Sequence, residues 1–116
     1  MQVTALSLKQ PYANLIATGK KTIETRKWSA KYRGDILICA SLSGKEDPRG
    51  VALCIVELYD IRPMAKSDEI VACIELYPNA NAWLIRNVRV LKNPFPVKGK
   101  LGLYKVEVTK QLLGTK

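Results

Sequence analysis

Apolar and polar residues alternate from Val3 to Leu8, the two-residue period of a strand with one buried face. The period then changes. Pro11 fits a first helical turn, Tyr12, Leu15 and Ile16 recur at helical spacing, and Gly19 stands where a helix C-cap belongs, so a helix is predicted over 11–18. From Thr22 the alternation returns, with Thr22, Glu24, Arg26 and Trp28 on one face and Ile23, Thr25 and Lys27 on the other. The apolar segment Asp35 to Ala40 predicts a third strand, and Val51 to Ile61, opened by Gly50 and closed by Pro63, a fourth. Ser67 is the expected N-cap of a short helix over Asp68 to Ile74, which runs into Tyr77-Pro78-Asn79. Two further strands, Ala82 to Leu91 and Leu103 to Val108, are separated by Asn93-Pro94-Phe95-Pro96 and a Gly99 to Gly102 turn. With no repeat, low-complexity tract or linker, residues 1–116 are expected to form one α+β domain, a small, partly closed mixed barrel with helices inserted.

Composition narrows the class. Hydrophobic residues make up 47% of the chain and charged residues 25%, which is a folded composition. No run approaches the ~20 apolar residues of a membrane span, and Met1 to Lys9 lacks the charged-then-apolar order of a signal peptide. A cytoplasmic location without membrane association is therefore expected. Cys39, Cys54 and Cys73 are widely spaced in apolar sequence, with no Cys-x-x-Cys, and read as buried free thiols. There is no histidine, which excludes Ser-His-Asp and Cys-His chemistry and removes the commonest metal ligand. Any catalysis would run on Lys, Glu, Asp, Tyr, Thr or Ser, and no metal or other cofactor is expected.

The net charge of +9 is uneven: residues 1–34 carry +6, residues 35–81 carry −4 and residues 82–116 carry +7. If the two basic ends meet in the fold they make one positive face suited to a polyanion, nucleic acid first among them.

The densest candidate chemistry is Gly19-Lys20-Lys21-Thr22-Ile23-Glu24-Thr25-Arg26, in which a glycine turn delivers Lys21, Glu24 and Arg26 into one short segment. Half-buried, such a cluster can bind an anion or do acid/base work; on an open surface it is a solvated ion pair. Alternation puts Glu24 and Arg26 on one face and Lys21 nominally on the other, although at the glycine turn the alternation need not yet hold.

Gly19, Lys21, Glu24 and Arg26 complete the pattern Gly-x-Lys-x-x-Glu-x-Arg, which arises by chance on the order of once in a thousand such chains. With Ser7-Leu8-Lys9-Gln10-Pro11-Tyr12-Ala13, Lys27-Trp28, Tyr32-Arg33-Gly34, Ala40-Ser41, Ala82-Trp83 and the segment Pro94 to Leu103 in the same order, the sequence resembles ASCH domains, a branch of the PUA-like superfamily. The resemblance implies a PUA-like β-barrel of about five to six strands with two flanking helices, and a cleft onto which the motif projects. It also implies RNA binding; some members hydrolyse RNA or remove an acyl group from a modified cytidine. In the acyl-removing branch a threonine stands where this chain has Glu24, which argues against a copied mechanism. Thr22, Thr25 and Ser41 are possible substitutes there, and Asp68, Glu69 or Glu75 possible distant carboxylates.

Lys21, Glu24 and Arg26 are thus the candidate catalytic residues. Arg26 offers a planar fork to phosphate and Lys21 a point charge. Glu24 is expected to hold Lys21 protonated and to be the better base or water-orienting group. Lys9, Lys20, Lys27, Lys98 and Lys100 are candidate RNA contacts, Tyr12 and Trp28 candidate stacking platforms, and Ser41 a candidate polar contact. Three functions follow in order: an RNA- or nucleotide-binding domain, a metal-free hydrolase of RNA or of an acylated pyrimidine nucleoside, and a protein-interaction module in transcription. The last would need an exposed apolar patch that the sequence does not advertise.

Overall fold

The computed structural model describes residues 1–116. Six strands form one mixed sheet: β1 (Gln2–Gln10), β2 (Ile23–Arg26), β3 (Gly34–Gly44), β4 (Val51–Pro63), β5 (Asn81–Pro96) and β6 (Leu103–Glu107), in the order β2-β5-β4-β3-β1-β6. Only β1 and β3 run parallel, with Leu6 opposite Ile38; every other pair is antiparallel. Helix α1 (Tyr12–Ala17) fills the crossover after β1, and a short 3-10 turn (Lys66–Asp68) leads into α2 (Glu69–Ala72) between β4 and β5.

The apolar run in β3 has a structural cause. Ile36, Ile38 and Ala40 point into one core with Leu6, Leu8, Val56, Leu58 and Trp83, where Ala13 and Ile16 of α1 cover the sheet. Leu37 and Cys39 point into a second core with Ala5, Ala52, Leu91, Phe95 and Tyr104. A strand buried on both faces reads as continuous apolar sequence. The second core lies where the sheet curls onto itself: β4 and β5 are out of simple register at three places, and such irregularities increase twist and bend. The sheet stays open, and the nearest approach to closure is a single bridge between Leu91 and Thr115.

Several boundaries differ from expectation. Strand β5 runs through Asn93-Pro94-Phe95-Pro96, so those residues extend a strand rather than separate two. Strand β2 stops at Arg26, which leaves Lys27 and Trp28 outside it. The predicted helix at 68–74 is one α-helical turn, and Ser67 does not cap it; the Asp68 carboxylate accepts the Ala65 N–H at 2.8 Å instead. Cys39 and Cys54 are buried free thiols as read, and burial pushes them up to about 11 and about 12, respectively. Cys73 is only half-buried. Ile70, Val71 and Leu76 stand exposed on the segment between β4 and β5, an apolar surface the sequence pattern did not announce. No helix is long and apolar enough to cross a membrane.

Candidate functional site

Lys21 reaches its position through main-chain contacts on either side of it. Helix α1 ends against Gly19, whose φ of +84° suits a residue without a Cβ, and the Lys21 N–H returns to the Leu15 carbonyl at 3.0 Å. The Thr22 N–H then donates to Val71 at 2.9 Å, and the Thr22 carbonyl accepts the Ile85 N–H at 3.2 Å. The segment is therefore pinned between α1, α2 and β5 before β2 begins at Ile23. Strand alternation does not govern Lys21, and its side chain turns toward Glu24.

There the amine is 1% exposed. It donates to the Ala72 carbonyl at the end of α2, lies 3.4 Å from Glu24 Oε1, and sits 5.1 Å from the Tyr12 ring centroid. The other Glu24 oxygen, Oε2, accepts from Arg26 Nε at 2.9 Å and lies 2.8 Å from a terminal guanidinium nitrogen, which also donates to the Ser7 carbonyl at 3.0 Å. Burial pushes the Lys21 amine below the usual lysine range, and the Glu24 charge and contact only partly oppose it. Desolvation therefore outweighs the upward pull of the Glu24 carboxylate on this amine.

Two cavities meet at this cluster. A smaller one of about 310 Å³ is walled by Lys21, Glu24, Arg26, Tyr12, Thr25 and Tyr77 among others, with Lys9 and Ser7 also on its wall. A larger one of about 790 Å³ is walled by Ser41, Leu42 and the segment Pro96 to Gly102, with Lys98 and Lys100. Ser7 and Arg26 belong to both. The larger hollow lacks the carboxylate and the buried lysine, so the candidate chemistry belongs to the smaller one. Glu24 is the sole carboxylate on either wall.

Of the residues expected here, Lys21, Glu24, Arg26, Lys9 and Tyr12 come together in the smaller cavity, and Ser41, Lys98 and Lys100 in the larger. Lys20 and Lys27 are exposed but line neither. Trp28 also lies outside both walls: it packs edge-on against buried Trp83 with ring centroids 4.8 Å apart, and its carbonyl accepts the Trp83 indole N–H. Thr25 lines the smaller cavity, whereas Thr22 is exposed outside it. None of Asp68, Glu69 and Glu75 lines either cavity; Asp68 is held by Arg62, and Glu69 by Lys66 and the Leu76 N–H. Sequence reasoning did not place Ser7 or Tyr77 in the site: Ser7 stood in a resemblance block without a role, and Tyr77 carried no motif signal. No group of three or more His, Cys, Asp or Glu side chains converges to hold a metal.

A curled, open six-stranded mixed sheet with short helices beside a charged cavity is an α+β fold, barrel-like in outline but not closed. The sequence matches the ASCH domain over residues 6–95, and the chain belongs to the ASCH domain family. No curated protein matches it. Among solved structures it is similar to an ASCH protein from Zymomonas mobilis, with a TM-score of 0.68, 18% identity, and 90% of this chain and 87% of that chain covered. A tyrosine-to-phenylalanine mutant of the Zymomonas mobilis protein gives a TM-score of 0.66 at 18% identity, over 90% and 89% of the two chains. At this identity the likeness establishes the fold alone.

Proposed function

We propose that this chain binds single-stranded RNA, or a nucleotide-like piece of it, in the cleft lined by Lys21, Glu24 and Arg26. One observation carries the reading: a carboxylate only 10% exposed is clamped between two cations in a cavity wall, leaving the cluster one net positive charge beside an aromatic ring. Clamped in this way, Glu24 is a fixed acceptor for a donor on a base edge. Arg26, 23% exposed, has the room to meet a phosphate. Tyr12 offers an aromatic face at the same wall. Fluorescence anisotropy with a mixed-sequence single-stranded RNA tests the proposal. Arg26→Gln should weaken binding about tenfold, as expected for one charge-assisted contact of about 1.4 kcal/mol. Unchanged affinity in a folded variant sinks the reading.

A metal-free hydrolase acting on RNA or on an acylated pyrimidine nucleoside is the second reading, favoured by the desolvated Lys21 amine. A lysine whose proton is easier to lose is nearer to service as a base, with Glu24 orienting water. Lys21→Met and Glu24→Gln should then abolish product formation with the fold intact; equal turnover in the variants dismisses it.

A further inference from the structure

The larger cavity has a composition of its own. Its wall carries Arg26, Lys98 and Lys100 and no carboxylate. Lys98 and Lys100 are exposed and take part in no ion pair, so their charges are uncommitted. Leu42 is 79% exposed and Leu101 99% exposed, so two large apolar side chains stand in water beside those cations. Cations with unpaired apolar surface suit a ligand that carries both anionic groups and flat apolar faces, as a nucleotide chain does.

The loop carrying these residues passes close to β1 beside the motif cavity. A Cβ on Gly99 would stand 3.0 Å from Ser7 Oγ, so glycine allows the loop to close on β1. Ser7 Oγ is hydrogen-bonded to the Tyr104 hydroxyl at 2.6 Å, and the Ser7 carbonyl holds Arg26. Ser7 and Arg26 form the boundary between the two hollows and face both.

Size separates their tasks. At about 310 Å³ the motif cavity is at the lower edge of small-ligand sites, which run from about 300 to 1,000 Å³. It takes one base-sized group. At about 790 Å³ the neighbouring hollow has room for what that group is attached to. Resting on the RNA-binding reading, we infer that the ligand spans at least two nucleotides: one base enters the motif cavity, Arg26 meets the phosphate at the boundary, and the adjoining nucleotide lies in the larger cavity against Lys98, Lys100 and the two leucines.

Titration calorimetry with mixed-sequence RNA mononucleotides, dinucleotides and hexamers tests this. The dinucleotides should bind at least tenfold more tightly than the mononucleotides. A Lys98→Ala/Lys100→Ala variant should lose at least tenfold in hexamer affinity and keep mononucleotide affinity within twofold. Its salt slope should shrink by about 0.7, the value for the one further phosphate of the adjoining nucleotide on a single strand. Equal affinity for mono- and dinucleotides, or an unchanged salt slope in the double variant, overturns the two-nucleotide site while leaving RNA binding in place. Absence of binding at every length overturns the RNA reading itself, and this inference with it.

Discussion

An amine as buried as that of Lys21 persists where each proton has a destination, and here there are three: the Ala72 carbonyl, Glu24 Oε1 and the Tyr12 ring. With its donors committed, Lys21 holds Glu24 and α2 in place, and Arg26 is the more exposed of the two cations. The burial has a consequence for pH. Folded Lys21 gives up its proton at a lower pH than the unfolded chain, whose lysine keeps the ordinary value of 10.5. Between those two points the unfolded chain holds more protons, so this group adds stability as pH rises through the window. Heteronuclear NMR should show the Lys21 side chain titrating below the exposed lysines, and a midpoint shared with them would contradict the burial argument. In the sequence the motif grouped these residues, while alternation put Lys21 only nominally on the opposite face and the glycine turn left its direction open. Its direction is set by hydrogen bonds to Leu15 and Val71, made by segments that the local pattern does not connect.

At the scale of elements, the segment between β4 and β5 supplies the Ala72 carbonyl that Lys21 uses, so whatever holds α2 also holds the site. Asp68 is its anchor. The carboxylate accepts two hydrogen bonds from Arg62, at 2.7 and 2.9 Å, and one from the Ala65 N–H, which together hold it down to about 2. A carboxylate depressed in the folded state contributes stability above its ordinary value of 3.8, and that contribution is lost as pH falls toward about 2. Asp68→Ala should cost about 1–2 kcal/mol at neutral pH, as loss of a cap does, seen as a melting temperature lower by roughly 4–8 °C. The gap between wild type and variant should narrow in acid; a constant gap from pH 6 to pH 2 would refute this role. Strands β1, β3, β4 and β6 were legible because burial on one or both faces leaves a two-residue period or an apolar run. The helical turn at 69–72 was misjudged in length and cap, because its anchor is a carboxylate paired across the segment to Arg62 and not a local serine.

For the whole molecule the question is how an open sheet encloses its two larger cores. The basic ends of the chain meet at β1 and β6, where Gln2 faces Glu107 and Leu6 faces Leu103. That pairing carries the 96–102 loop alongside the motif, so residues of the +6 and +7 segments line one cavity system. Two carboxylates of the acidic middle pair with arginines of the basic C-terminal segment, Asp35 with Arg89 and Glu57 with Arg86. The remaining gap in the sheet is covered by the segment after β6, which returns to the free edge of β5: Lys92 N–H donates to the Gly114 carbonyl at 2.9 Å and Lys116 N–H to the Val90 carbonyl at 2.8 Å. Leu113 packs there against the second core. This closure had no sequence signal, since two main-chain hydrogen bonds and one leucine leave no period to read. Leu113→Asp should set a charge against that core, cost about 1–3 kcal/mol in urea unfolding, and raise hydrogen exchange at the Lys92 and Lys116 amides before the rest of β5. Uniform exchange across β5, or an unchanged urea midpoint, would show that the second core closes without this segment, leaving β6 and the curl of β5 to enclose it.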